Sequence, residues 1–180
     1  MKHGWLRIAV SCSVVLLSFA APQAEMVVQA CFSPQTKCSL HIIREIDKAQ
    51  KEVLIAVYAF TSHDLARAVA QANKRGVSVQ IVLDREFDAT NEKSQGSFLE
   101  GQRISLKRIS GMRSMVRETD SGLMHQKFSV IDRKIVLTGS YNWTHAADNF
   151  NDENLLLFRD AGPLAEEYRR VFLQLWERKP

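Results

Sequence analysis

The chain has 180 residues, which is enough for one domain with a hydrophobic core of its own and too few for two. Its 46% hydrophobic and 24% charged residues are ordinary for a globular protein and argue against a disordered or repetitive chain. The formal net charge of +4 is mildly basic and identifies no partner by itself.

The first 24 residues have the pattern of a secretory signal peptide. A basic start is followed by an uncharged, largely apolar run from Ile8 to Ala20, which is too short for a membrane span, and then by small residues. We predict cleavage after Ala20 or Ala24, a mature domain over residues 25–180, and export to the periplasm or the medium. If the segment is not cleaved, it would anchor the protein in a membrane.

Two cysteines, Cys31 and Cys38, follow the presumed signal peptide. In an exported chain such a pair can form a disulfide that closes a small loop. A zinc site is not expected, because no second Cys/His pair stands at ligand spacing. We predict a Cys31–Cys38 disulfide and no bound metal.

In the first half of the chain, the apolar pattern predicts alternating strands and helices. The predicted elements are a strand over 26–32, a helix over 39–49, a strand over 52–60, a helix over 63–75 and a strand over 77–83. This order predicts a single-domain α/β fold with a mixed, largely parallel β-sheet sandwiched between helices on both faces.

In the second half, the predicted elements are shorter. They are a polar loop over 84–91, a helix over 92–99, a strand over 104–109, an irregular stretch over 110–122, a strand over 126–132 that pairs back with 135–138, a loop with one helical turn over 139–149, a strand over 154–158 and a helix over 163–178. Asp84, where a predicted strand ends, fits a helix cap or a salt bridge as well as a functional role.

A basic stretch precedes the strand at 126–132. Its five cations, with no acidic residue between them, are Arg103, Lys107, Arg108, Arg113 and Arg117. Such a stretch could attract a polyanion and bind substrate, or it could be a solvated loop.

His125 and Lys127 stand two residues apart at the start of that strand. Side chains alternate between the faces of a strand, so these two share one face. An imidazole beside a fixed cation suits an anionic group such as a phosphate. Asp132 falls on the opposite face, and we interpret it as structural. Taken alone, a strand histidine is more often a core residue.

The set His125-x-Lys127-x4-Asp132, followed by Gly139-Ser140, Asn142 and Glu153, resembles the signature of the phospholipase D superfamily. The short length and single motif copy are most similar to its small bacterial endonuclease branch. The resemblance implies a phospholipase D/nuclease-like fold and no cofactor.

The resemblance also implies a role for each residue of the set. His125 would be the nucleophile that forms a phosphohistidine, and Glu153 would orient its imidazole. Lys127 and Asn142 would bind the non-bridging oxygens, with Ser140 beside them. Gly139 and Asp132 would be motif residues with a structural role.

This chemistry needs a second imidazole for acid–base work. No other histidine of the chain is followed by lysine two residues later. We therefore predict a homodimer in which each active site uses both copies of His125.

The motif does not distinguish between phosphodiester substrates. We expect a metal-independent, sequence-independent endonuclease that cuts DNA, with RNA as a further substrate, through contacts to the phosphate backbone. The alternative is a phospholipase D that acts on membrane phospholipid. A non-catalytic nucleic-acid-binding protein is disfavoured, because every catalytic residue type is present.

Overall fold

The computed structural model describes residues 25–112 and 122–178. The predicted signal peptide, Arg113 and Arg117 therefore lie outside the described residues. The strands are β1 (Val27–Ser33), β2 (Glu52–Val57), β3 (Ser78–Asp84), β4 (Ser105–Ile109), β5 (Lys127–Ile131), β6 (Ile135–Gly139) and β7 (Glu153–Arg159). The helices are α1 (Cys38–Lys48), α2 (His63–Lys74), α3 (Arg85–Thr90), α4 (Gly96–Gly101), α5 (His145–Asn149) and α6 (Gly162–Glu177).

The strands form one seven-stranded sheet in the order β1-β7-β6-β5-β2-β3-β4, with β5 in the middle. The predicted α/β fold with a mixed sheet is confirmed, but the expectation of a largely parallel sheet was wrong. Only the β2–β3 and β3–β4 pairs are parallel, and the other four are antiparallel. The reason lies in the second half of the chain, where β5 and β6 form a tight hairpin, and antiparallel pairs need no helical crossover.

Helices cover both faces of the sheet, as predicted. On one face α1 and α2 pack against Val53, Ile55 and Val57 of β2, and on the other α6 packs against Leu54 and Ala56. Strand β2 is thus buried on both sides, which accounts for its continuous apolar sequence. Among the described residues, no helix is both long and apolar enough to span a membrane.

The region after β3 differs from the prediction. Residues 85–90 form helix α3 rather than a loop, because the Asp84 side chain accepts a hydrogen bond from the Phe87 amide at 3.0 Å and so caps the helix. The next helix, α4, begins only at Gly96. The helical turn expected in 139–149 is α5, capped by Thr144.

One end of the sheet gathers residues from five strands, and we call it the site end. Here β2, β3 and β6 finish at Val57, Asp84 and Gly139, while β5 and β7 begin at Lys127 and Glu153. Strand pairing brings Val57 opposite Lys127, because β2 and β5 run antiparallel. Residues distant in sequence therefore meet at this end.

Candidate active site

The predicted nucleophile and its cation lie at the site end, where β5 begins. Lys127 is the first residue of β5 and is half-buried, and His125, two residues earlier, is exposed. The Tyr58 amide donates a hydrogen bond to the Gln126 carbonyl oxygen at 2.8 Å. This bond holds residues 125–127 against the chain that leaves β2. Phe128 packs under α6, so the predicted alternation of β5 is confirmed.

The ammonium group of Lys127 contacts two groups at this end and is influenced by the charge of a third. Its Nζ donates to the carbonyl oxygen of His125 at 3.0 Å and lies 5.3 Å from the centre of the Tyr58 ring. Burial lowers the pKa of Lys127, and the negative charge of Glu153 raises it in part. Lys127 is therefore a cation held beside His125, and its pKa also responds to the charge of Glu153.

Glu153 and Ser140 come from neighbouring strands and are tied to each other through the backbone. Glu153 begins β7 and accepts a hydrogen bond from Asn151 Nδ2 at 3.3 Å. Ser140 Oγ accepts hydrogen bonds from the Asn154 amide at 3.1 Å and from its Nδ2 at 3.4 Å. Ser140 is thus fixed to the residue that follows Glu153.

Gly139 allows the end of β6 to lie close to the backbone of Asn154 in β7. Its φ of +150° is a conformation that favours glycine, and the carbonyl of Asn154 occupies the space where a Cβ would stand. The glycine therefore serves the geometry of the site end.

Asn142 lies between Tyr141 and Trp143, two buried aromatic residues. The Trp143 amide donates to the Ala59 carbonyl oxygen at 3.0 Å, which places this loop beside the end of β2. The Oδ1 atom of Asn142 is buried and has no hydrogen-bond partner among the described residues. This oxygen is an acceptor, so a phosphate oxygen bound by the Asn142 amide would take its hydrogen bond from the Nδ2 group.

Asp132 lies at the opposite end of β5 from His125. Its carboxylate accepts hydrogen bonds from three consecutive amides, Gln50 at 2.9 Å, Lys51 at 2.7 Å and Glu52 at 3.0 Å. These bonds fix the connection from α1 to β2. The contacts agree with our interpretation of Asp132 as a structural residue.

Among the described cations of the basic stretch, only Arg108 lies near the site end, opposite Leu83, and its guanidinium is already paired with acidic side chains. Arg108 pairs with Asp88 and Glu100, Lys107 donates to the Trp176 carbonyl, and Arg103 precedes β4 at the other end of the sheet. The acidic partners come from α3 and α4, whose positions the sequence pattern did not reveal. This arrangement does not support the substrate-binding role considered for Arg103, Lys107 and Arg108.

A disulfide joins Cys31 of β1 to Cys38 at the start of α1. Two residues beyond Cys31, Ser33 is paired with Glu153 across β1 and β7. The disulfide therefore braces the strand that borders Glu153.

Sequence reasoning missed Tyr58, whose ring lies against the imidazole of His125 with 4.8 Å between the ring centres. Asp84, left open between a cap and a functional role, accepts a hydrogen bond from the Met124 amide at 2.9 Å. One signal could have found both residues. They end neighbouring parallel strands, and such ends meet at one edge of an α/β sheet.

Comparisons with known proteins support a family assignment. A family model described as "Cardiolipin synthase, PLD-like domain" matches residues 42–176. The mitochondrial cardiolipin hydrolase of Canis lupus familiaris is 34% identical over 172 residues, covering 94% of this chain and 62% of the relative. A phospholipase D of Rickettsia typhi is 35% identical over 150 residues, covering 83% of this chain and 66% of the relative.

Among solved structures, NucT from Helicobacter pylori superimposes with a TM-score of 0.80 at 29% identity. The match covers 85% of this chain and 97% of NucT. The chain thus spans 62–66% of the length of the two curated relatives but nearly all of NucT.

Proposed function

The chain belongs to the phospholipase D superfamily, and on that premise we propose that it is a phosphodiesterase whose preferred substrate is nucleic acid. The observation that carries the proposal is the exposed imidazole of His125 beside the half-buried Lys127, at a sheet end that also holds Ser140, Asn142 and Glu153.

The proposed chemistry is a double displacement at phosphorus. A ring nitrogen of His125 forms a bond to phosphorus while the ester oxygen leaves, taking its proton from His125 of the partner subunit. Water then attacks the phosphohistidine, gives its proton back to that second imidazole and releases a phosphate monoester. Lys127 and the Asn142 amide stabilise the charge on the non-bridging oxygens.

A homodimer is the second part of the proposal, because one chain supplies one imidazole for a reaction that uses two. Exposed apolar side chains lie within three residues of the site residues. They are Leu123, which is 49% exposed, and Phe150, which is 73% exposed. Phe32, which is 59% exposed, is paired across β1 and β7 with Asn154, the residue after Glu153. A second copy docked on the site end would remove such a patch from water.

Mixed dimers test this arrangement. Wild-type and His125→Ala chains with different affinity tags would be co-expressed, and the mixed dimer isolated through both tags. If each site uses both imidazoles, the mixed dimer is nearly inactive. If each subunit works alone, it retains about half of the wild-type rate, and the shared site is wrong.

Two observations favour nucleic acid as the substrate. His125 is exposed at the site end, and a groove between two copies docked there would be open to a polymer backbone that continues on both sides. The chain also matches 97% of NucT, whereas it spans only 62–66% of the relatives named cardiolipin hydrolase and phospholipase D. Contacts to phosphate alone predict activity that is independent of sequence and falls steeply with salt.

Phospholipid is the second candidate, favoured by a different observation. The curated relatives include proteins named cardiolipin hydrolase and phospholipase D, and exposed Met112 and Leu123 could touch a bilayer surface near the site.

A parallel assay separates the two candidates. Plasmid DNA, single-stranded DNA, RNA, and vesicles of phosphatidylcholine or cardiolipin would be incubated at low salt with and without excess chelator. We expect DNA cleavage that persists in chelator and is lost in His125→Ala. The control is His41→Ala, since His41 lies on α1 beside Gln29 and should leave turnover intact. Headgroup release without DNA cleavage would favour the phospholipase.

A further inference from the structure

A closed circuit of contacts connects the buried carboxylate of Asp84 to the imidazole of His125. It passes through residues that the proposed reaction does not use. The circuit runs from Asp84 through Phe87 and Tyr58 to His125, and returns through Met124 to Asp84. Each link is a direct contact between described residues.

Asp84 holds two segments of the chain at once. It is 1% exposed, its Oδ1 accepts the Phe87 amide at 3.0 Å, and its Oδ2 accepts the Met124 amide at 2.9 Å. Both carboxylate oxygens are thus used by backbone donors, one on each side of the circuit. A carboxylate is suited to this task because both of its oxygens accept.

Tyr58 stands between the two segments. Its ring centre lies 5.1 Å from that of Phe87 at 52° and 4.8 Å from that of His125 at 59°. Tilted rings at these separations are in favourable contact. The backbone of Tyr58 is also held, because its amide donates to the Gln126 carbonyl oxygen.

The position of His125 explains why such support is needed. The residue is exposed and precedes the first residue of β5, so neither core packing nor the strand ladder fixes its ring. A nucleophile must approach phosphorus in line with the leaving oxygen, and small errors in placement are costly. The flanking ring limits how far the imidazole can rotate.

We propose that Tyr58 and Asp84 are positioning residues for phosphoryl transfer. Tyr58 orients the imidazole of His125 by direct ring contact, and Asp84 fixes the two backbone segments that hold this contact. The inference rests on the phosphodiesterase function proposed above. It assigns the two residues no contact with substrate.

The structure offers a matched control for Tyr58. Tyr168 on α6 is also a half-buried tyrosine, and its ring centre lies 5.1 Å from that of Phe128 on the other face of the sheet. Tyr58→Leu and Tyr168→Leu each remove a tyrosine ring from aromatic contact, and only the Tyr58 ring touches His125. Tyr58→Phe keeps the ring and removes the hydroxyl.

The assay uses bis(4-nitrophenyl) phosphate, a small phosphodiester that both substrate candidates resemble. We expect Tyr58→Leu to lower kcat about 10- to 100-fold with KM changed less than about twofold, while Tyr168→Leu stays near wild type. Tyr58→Phe should recover most of the rate. Asp84→Asn leaves only one accepting oxygen, so kcat should fall with KM again preserved.

Equal effects of Tyr58→Leu and Tyr168→Leu would overturn the proposal, as would Tyr58→Phe being as slow as Tyr58→Leu. A second measurement does not depend on turnover. The ring protons of His125 in an NMR spectrum should shift in Tyr58→Leu and not in Tyr168→Leu, because a neighbouring ring current is lost. If the wild-type protein does not hydrolyse the phosphodiester, the result counts against the phosphodiesterase function. If the His125 signal does not shift in Tyr58→Leu, the proposed ring contact is overturned.

Discussion

Glu153 partly offsets the effect of burial on Lys127. Burial lowers the pKa of the Lys127 ammonium from its ordinary value of 10.5, and the negative charge of Glu153 acts in the opposite direction. Lys127 begins β5 and Glu153 begins β7, and β6 lies between these two strands in the sheet. A carboxylate from another strand thus favours the protonated form of Lys127 against the effect of burial.

This relationship predicts the alkaline limb of the pH profile. The protonated form of Lys127 binds phosphate oxygens, so kcat/KM should fall as pH rises and the proton leaves. Because the pKa is lowered, the midpoint should lie below 10.5. Glu153→Gln removes the charge that raises the pKa, so the midpoint should move further down. The measurement is kcat/KM for bis(4-nitrophenyl) phosphate across alkaline pH.

Lys127→Arg is the control for that assignment. A guanidinium stays protonated throughout this range, so the variant should lose the alkaline fall even though its overall rate is lower. An identical midpoint in wild type and Lys127→Arg would assign the titration to another group.

Asp132 is expected to matter for stability and little for chemistry. Asp132→Asn weakens the bonds to the amides of residues 50–52, and we expect a loss of about 1–3 kcal/mol in the free energy of unfolding. Urea unfolding measures it, with Asp47→Asn as a control on exposed helix surface. At urea concentrations well below the unfolding midpoint, kcat of Asp132→Asn should stay within about twofold of wild type. A large loss of kcat in a folded Asp132→Asn would contradict a structural role.

The parts of the fold that depend on local pattern were predictable from the sequence. The strand with His125 and Lys127 follows from alternation, and the flanking helices follow from apolar residues at helical spacing, such as Leu40, Ile43 and Ile46 in 39–49. The face of that helix was misplaced, because Leu40 is exposed and Ile42 is buried with Ile46. The resemblance to a known motif then supplied Asn142, Ser140 and Glu153. Strand pairing brings all of these residues to the site end.

The features of the fold and of the site that the sequence did not predict depend on tertiary contacts. The stretch over 84–91 reads as polar loop until Asp84 caps it, and that carboxylate also accepts an amide from Met124, 40 residues away. Arg108 looked free because its partners, Asp88 and Glu100, approach only when α3 and α4 pack beside β4. The contact between Tyr58 and His125 arises in the same way, from elements that meet only in the fold.

The Cys31–Cys38 disulfide should contribute measurably to stability. The cysteines are seven positions apart, and closing so small a loop in the unfolded chain corresponds to about 2.5 kcal/mol in the chain-entropy model. We expect the Cys31→Ala/Cys38→Ala double variant to unfold at correspondingly lower urea concentration. Reductant should lower the midpoint of wild type and leave that of the double variant unchanged. Non-reduced wild type whose mass equals that of the reduced protein would show that the bond is absent.

Gly139→Ala should damage stability and activity together. The new Cβ would collide with the carbonyl of Asn154, and the φ of +150° is strained for alanine. The backbone strain alone corresponds to about 1–3 kcal/mol of unfolding free energy. Asn154 would have to move, and it carries the amide that holds Ser140 and follows Glu153 directly. We therefore expect kcat to fall about tenfold or more even where the variant is fully folded.

Gly101→Ala is the matched control for that change. A Cβ added at Gly101, at the end of α4, would meet no atom within 4 Å, and its φ lies outside the range that favours glycine. Its unfolding midpoint and kcat should stay close to those of wild type. Thermal unfolding and phosphodiester turnover of the two variants, measured side by side, separate a general glycine effect from the close approach of β6 and β7. If Gly139→Ala behaved like Gly101→Ala, the backbone at Asn154 would not be needed to place Ser140 and Glu153.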